Sequence, residues 1–477
     1  MKAAKTPTKA APKPTRQLTK KGVAGIHYRV EIASHHAHLF KVTLTIAQPA
    51  VDQEVSLPVW IPGSYLVREF AKNLQHLRAK QGNRPVALAQ IDKCSWRATC
   101  SPAKPLVLTY EVYALDNSVR TAWLDSQRGF FNGTSLCLKV ANQDNTPHTL
   151  ELVAPTHTPN WRVATSLSPY SINASGYGIY SAHDYDALVD CPVEMGNFWT
   201  ASFIAGGVPH RFVVTGAADS FDADKLIQDT QAICETEIRF WHEAARDKPP
   251  FTSYLFMLNV VDDGYGGLEH RSSTALICTR KDLPQLSPRP FNAPAPRQSE
   301  GYATLLGLIS HEYFHTWNVK RLRPAEFASF DYARENYTQL LWFFEGFTSY
   351  YDDLLLRRAG LIDDAHYLKL LTKTINQVLQ APGRQVQSVA QASFDAWVKY
   401  YRQDENTPNA TISYYTKGSL VALCLDLTLR REGQGSLDAV MRELWDTSRG
   451  GPIGEVQIRA ALQKVGGRSF EIGRAHV

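Results

Sequence analysis

The chain has no apolar run approaching the roughly 18 residues needed to span a bilayer. Its longest candidates, around Tyr254–Val261 and Leu420–Leu425, are core-sized, so membrane insertion is not expected. It also lacks a cysteine framework. Seven cysteines at 94, 100, 137, 191, 234, 278 and 424 are odd in number and include no C-x-x-C pair. That excludes a disulfide scaffold or a thiolate zinc cluster and suits reduced thiols in a cytoplasmic setting. Acidic residues are absent from positions 1–22, where seven Lys or Arg stand. The net charge of +5 therefore sits in that tail, and the remainder carries −2. A body without basic excess gives no footprint for nucleic acid. The tail itself is rich in Pro, Ala and Lys, without the apolar centre of a signal peptide, and reads as a solvated, disordered segment. No internal repeat, no G-x-S-x-G and no G-x-G-x-x-G opening a helix is present, which leaves serine hydrolysis and dinucleotide binding without support.

What is present begins with alternation. Ile26, Tyr28, Val30 and Ile32 are separated by His27, Arg29 and Glu31, the period of a half-buried strand. The same period recurs at Phe40–Ile46 and Leu106–Val112, and short strands are expected at 136–140 and 149–153. Strands at this spacing predict an antiparallel, sandwich-like β domain over 23–205. From Leu226 the apolar positions turn helical. A strand-like run at 253–261, a glycine-rich turn and a loop with five prolines between 284 and 296 follow. Helices are then expected over 301–318, 336–358, 362–380, 416–431 and 436–448, within a mainly helical domain spanning 206–470. The fold class is thus α+β and multidomain.

The final heptapeptide EIGRAHV (471–477) has no structural logic. Its codons can be written GAG ATC GGA AGA GCA CAC GTC, which matches a common sequencing adapter. The expectation is a non-native end, with the natural chain continuing beyond about residue 470.

The chemistry centres on LISHEYFHTWNVKRLRP (308–324). Chance gives about 0.02 H-E-x-x-H patterns in a chain of this composition. The apolar residues before it predict a helix, on which positions four apart are rotated by about 40° and separated by ~6 Å along the axis. His311 and His315 can then offer two imidazoles to one ion, with Glu312 placed to act as general base on a water. Zinc needs a third protein ligand and an open position. Glu345 is the only acid between Leu340 and Phe347, where a carboxylate is costly unless paired or metal-bound. Glu335 competes, but its DYAREN surroundings read as an exposed loop. Asp352 and Asp353 are expected to face solvent or to support the ligands.

HEYFH with TWNVKRLRP, then WFFEGFTSYYDD, resembles the glycyl aminopeptidase family of zinc metallopeptidases, numbered sixty-one. The likeness extends to LPVWIPGSYLVREFAKN (57–73), SVRTAWLD (118–125), FFNGTS (130–135) and YDALVDCPVEMGNF (185–198). It implies an N-terminal β domain, a thermolysin-like catalytic domain holding one Zn2+, and a C-terminal PDZ domain with no counterpart here. That family is similar to a larger group of aminopeptidases carrying G-x-M-E-N before the zinc helix. Gly266-Gly267-Leu268-Glu269-His270 stands in that place, departing at Leu268 and His270. The resemblance implies that Glu269 grips the substrate's α-ammonium, with Gly266, Gly267 and His270 beside it. Tyr415-Thr416-Lys417-Gly418 is similar to the Y-x-K-G of those enzymes, which implies Tyr415 as oxyanion donor, with Tyr414 as the alternative. Thermolysin-like enzymes place an Asp four residues after the zinc glutamate; here Ser349 stands there, so the residue orienting a ligand histidine is left open. Lys320, Arg321 and Arg323 read as a structural ion-pairing segment, or alternatively as a grip on substrate carboxylates. The expected activity is removal of N-terminal residues, Gly or Ala, from peptides with a free N-terminus. A zinc endopeptidase and a peptide-binding scaffold are the rival readings.

Overall fold

A computed structural model of the chain describes residues 25–243, 248–286 and 299–470. The basic tail, most of the Pro-rich loop and the terminal heptapeptide lie outside the described residues. The alternating segments are strands: Ile26–Ser34, Leu39–Ile46 and Leu106–Tyr113 are neighbours in an eight-stranded sheet. Their apolar residues face one core, and Ile26, Val42 and Leu108 are fully buried there. Pairing is antiparallel except where His148–Leu152 runs parallel to Ile26–Ser34. Two four-stranded sheets complete the β-rich part. The strand expected at 136–140 is mostly something else. Gly133–Leu136 is a buried helical turn, and only Lys139–Val140 joins a sheet.

A second core is built around a five-stranded sheet. Its order is Trp199–Ala205, Val208–Thr215, Tyr254–Val261, Ser273–Thr279 and Gly266–Glu269. Trp199–Ala205 and Val208–Thr215 form an antiparallel hairpin that straddles residue 205. The helix Ala223–Trp241 crosses between two parallel strands, as parallel pairing requires. Gly266–Glu269 lies at the sheet edge, paired on one side only.

The helical part then follows. Glu300–Phe314 starts at Ser299, whose hydroxyl accepts from the Tyr302 N–H. Leu341–Arg358, Asp364–Gln380, Tyr414–Arg431 and Leu437–Ser448 match the helical periodicities, and Glu455–Gly466 adds another long helix. Helices Leu341–Arg358 and Tyr414–Arg431 cross at Gly346 and Gly418. A Cβ on Gly418 would overlap the Trp342 carbonyl, and one on Gly346 would overlap the Gly418 backbone. The two glycines let the backbones touch, which brings the tyrosine pair of one helix against Glu345 of the other.

A third apolar cluster joins the β-rich part to the helices. Trp60 and Tyr65 from the N-terminal part pack with Phe327, Trp397 and Tyr414. The Trp60 indole donates to the Asp331 carbonyl at 2.7 Å, and the Val59 N–H to the Tyr332 carbonyl at 2.8 Å. The N-terminal part thereby forms one wall of the site.

Candidate active site

The histidine helix ends at Phe314, with His315 at its C-cap. The expected continuation to 318 is replaced by a turn. Its purpose is visible at His315: Nδ1 lies 2.7 Å from the carbonyl of Asn318, which only a turned chain can present. The turn forces Val319 to φ +142°, a strained value for a β-branched residue. The Asn318 amide fastens the turn to the next helix by donating to the Phe344 carbonyl and the Thr348 hydroxyl.

His311 Nδ1 lies 2.9 Å from Asp352 Oδ2. A carbonyl and a carboxylate only accept, so both Nδ1 atoms carry a proton and the Nε2 atoms are the ones that a neutral imidazole would offer to an ion. These Nε2 atoms lie 3.0 Å apart, and Glu345 Oε2 is 3.7 Å from one and 3.2 Å from the other. Three ligands of a tetrahedral ion with bonds of about 2.1 Å would be separated by about 3.4 Å. The triangle has about that size. His311, His315 and Glu345 therefore fit a metal ion.

The electrostatics agree. Burial would raise the Glu345 carboxyl, but His315 and His311 outweigh it and hold it down to about 2. Burial would lower His311, yet Asp352 and Glu345 raise it well above its ordinary range. His315 is raised too, by Glu345 against burial. The cluster draws positive charge into a buried place.

Asp352 stands seven residues after Glu345, two turns along the same helix and so on the same face. Of the alternatives left open for Asp352, support of a ligand is the one observed. Its other oxygen accepts from the Asp353 N–H at 2.6 Å. Burial and Asp352 together push the Asp353 carboxyl up to about 8. Ser349 makes no hydrogen bond to either ligand histidine, and Glu335 remains in the loop before the helix, outside the cluster.

Glu312 is buried, and its Oε2 has no hydrogen-bond partner. Burial pushes its carboxyl up, His311 pulls against this and Glu269 adds to it, leaving it at about 7. Gly267 lies directly against Glu312: a Cβ there would collide with the carboxylate. Edge strand and histidine helix thus meet at this pair. Glu269 is 4% exposed and sits two residues along the strand. Gly63 of the N-terminal part, at φ +92°, packs so closely on the Glu269 carboxylate that any side chain would displace it. His270 faces away and contacts Asp190, which also pairs with Lys320 at 2.7 Å and with Arg271.

Tyr415 lies with its ring 6.3 Å from that of His311 and its hydroxyl 3.3 Å from that of Tyr401. Tyr414 stacks on it at 4.6 Å, fully buried, with no partner for its hydroxyl. Burial, then Glu345, raises the Tyr415 hydroxyl well above its ordinary range, so it stays a donor. Sequence reasoning missed Tyr65, whose hydroxyl lies beside Glu345 and is likewise held protonated, chiefly by burial. Its stretch was singled out at 57–73, but nothing local connects it with the histidines some 250 residues on. Of Lys320, Arg321 and Arg323, read as a structural ion-pairing segment, only Lys320 forms an ion pair among the described residues, and the two arginines are held by backbone carbonyls instead. Lys320 pairs with Asp190, Arg321 donates to the carbonyls of Arg271, Thr316 and Pro250, and Arg323 to those of Phe327 and Lys320.

Comparison with known proteins matches this architecture. The family model for the Peptidase M61 N-terminal domain matches residues 27–197, and that for M61 glycyl aminopeptidase matches 304–421. The two cover the β-rich part and the helices bearing the ligand cluster. No curated protein matches the chain. Among solved structures, an aminopeptidase N family protein from Idiomarina loihiensis is 43% identical with a TM-score of 0.84, over 92% of this chain and 72% of that one. An M1 zinc metallopeptidase from Deinococcus radiodurans, a glutamate-to-alanine mutant bound to a Tyr-Ser-Ala substrate, shares the fold at 13% identity. Its TM-score is 0.52, over 95% of each chain. With both family models matched in order and the 43% relative aligned over 92% of this chain, the chain belongs to the M61 glycyl aminopeptidase family and is a metallopeptidase.

Proposed function

We propose that this metallopeptidase is a zinc aminopeptidase that removes N-terminal Gly or Ala from peptides. The observation carrying the reading is Glu269. It is a buried carboxylate with no Lys, Arg or His nitrogen within ion-pair distance among the described residues. Such a group is costly unless a cation reaches it. An α-ammonium group is a cation of the right kind, and it holds the peptide a fixed distance from the ligand cluster.

His311, His315 and Glu345 hold the ion, with Asp352 and the Asn318 carbonyl fixing the imidazoles. A zinc ion there supplies Lewis acidity to the scissile carbonyl and to water. Glu312 takes a proton from the attacking water and passes it to the leaving amine, the two transfers a positioned carboxylate can make. The Tyr415 hydroxyl donates to the oxyanion that develops on the carbonyl. Gly63 and Tyr65 crowd the space beside Glu269, which favours a small first side chain.

The test pairs metal analysis with hydrolysis of Gly-, Ala- and Leu-anilides, each with and without N-acetylation. One zinc per chain, with activity confined to free amines and greatest for Gly or Ala, is expected. Activity that survives acetylation would overturn the exopeptidase assignment. Glu269→Ala is expected to abolish the discrimination between free and acetylated amine.

A further inference from the structure

Two neighbouring arginines of the N-terminal part form no ion pair among the described residues. Arg120 reaches across to the edge strand, where its Nη2 donates to the Gly267 carbonyl at 2.9 Å. Its Nη1 lies about 3.5 Å from where a Cβ of Gly266 would be, and its Nε is buried without a partner. Arg68 donates through Nε and Nη2 to the Ser64 hydroxyl, at 3.2 and 2.8 Å. The two guanidiniums are close enough that Arg120, after burial, lowers Arg68 to about 10. Asp116 and the Tyr401 hydroxyl oppose that shift, but no carboxylate comes within ion-pair distance of either arginine among the described residues. Two half-buried positive charges that repel one another and lack an anion are a costly arrangement unless something negative arrives.

The edge strand says where that anion would come from. This step rests on the aminopeptidase reading. With the substrate amine at Glu269 and the scissile bond beside Glu312, which touches Gly267, the peptide runs back along the strand. Its next residue then lies toward Gly266 and Arg120. In a dipeptide, that residue carries the terminal carboxylate. We infer that Arg120 and Arg68 form a carboxylate subsite for the residue after the scissile bond, so that dipeptides with a free C-terminus are preferred substrates. Charge-assisted, bidentate recognition of a carboxylate is what a guanidinium does best.

The experiment compares kcat/KM for Gly-Ala, Gly-Ala-amide and Gly-Asp-amide, with Gly-anilide measured alongside. Wild-type enzyme is expected to prefer Gly-Ala over Gly-Ala-amide by about tenfold or more, largely through KM, as a subsite worth roughly 1.4 kcal/mol would require. Arg68→Gln and Arg120→Gln should each bring that ratio toward one, and Arg68→Lys should keep most of it. Calorimetric titration of Gly-Ala and Gly-Ala-amide into metal-free enzyme should show the same ordering in Kd, with thermal melts confirming that each variant is folded. A gain for Gly-Asp-amide equal to that for Gly-Ala supports the carboxylate subsite and shows that it accepts an acidic side chain as well as the C-terminus. Equal rates for all three peptides in wild-type enzyme would overturn the inference, as would a preference that survives both Gln substitutions. Free-amine-dependent cleavage of Gly-anilide separates such a failure from failure of the aminopeptidase reading.

Discussion

Asp352→Asn isolates the support of one ligand histidine while leaving all three ligands in place. In the wild type one carboxylate oxygen accepts from His311 Nδ1 at 2.9 Å and the other from the Asp353 N–H at 2.6 Å. Asparagine has one acceptor where two are used. If its oxygen stays on His311, the amide nitrogen faces the Asp353 N–H, donor against donor. If it turns round, the amide nitrogen faces His311 Nδ1, which must then accept. The proton moves to Nε2, and the lone pair needed for the metal is lost. Both outcomes weaken metal binding, and the negative charge beside the cation is lost in either. Outer-shell partners of this kind are worth 10–100-fold in metal affinity, or about 1.4–2.7 kcal/mol. Competition with a chromogenic zinc chelator measures the affinity directly, with activity at saturating zinc as a second reading. Ser349→Ala, at a position without a hydrogen bond to the ligands, is the control and should change the affinity less than twofold. Wild-type zinc affinity in Asp352→Asn would refute the tautomer argument, because no orientation of the amide reproduces both hydrogen bonds.

Glu312→Gln is expected to bind zinc normally and to lose about 100- to 10,000-fold in kcat, the range for removing a general base; zinc analysis beside single-turnover rates checks both halves. Gly418→Ala places a methyl group against the Trp342 carbonyl, so the helix crossing must open at a cost of about 1–3 kcal/mol. Urea titration measures that cost, and the displacement of Tyr415 from Glu345 should lower kcat as well. Stability should also fall in acid through His210, which is 1% exposed, bonded to the Tyr313 hydroxyl at 2.8 Å, and lowered by burial to about 4. An unfolded histidine titrates near 6.5, so below that pH the unfolded state binds the extra proton. The stabilisation present above pH 6.5 is lost progressively as the pH falls toward 4, by about 3 kcal/mol in all. Denaturant midpoints across that interval test this, and His210→Phe should flatten the dependence.

The strands with strict alternation were legible because their burial has period two. Ile26, Tyr28 and Val30 are buried, and His27 and Arg29 are not fully so. The stretch 136–140 misled for the opposite reason. In a segment buried on every side, apolar residues carry no period, and a helical turn and a strand look alike. The end of the histidine helix was misplaced because Trp317 and Val319 continue an apolar pattern through a turn that only the Asn318 carbonyl explains. Helical periodicity reports which residues are buried. It does not report that a backbone carbonyl is needed elsewhere.

The same distinction separates the parts of the site. His311, Glu312 and His315 lie within one turn of helix, and Glu345 betrays itself as a lone acid in an apolar run, so these are local signals. Asp352 was half-legible: its spacing of seven from Glu345 put it on the right face, without naming His311 as its partner. Gly63, Tyr65, Arg68 and Arg120 carried no such signal. Gly63, Tyr65 and Arg120 reach Glu269, Glu345 and Gly267 across some 150 to 280 residues of chain, and what brings them there is the docking of the segment around Trp60 onto the loop at 327–332. A helix can position a pair of metal ligands by itself. Closing off the space beside those ligands requires a second wall, and in this chain that wall comes from the other part of the molecule.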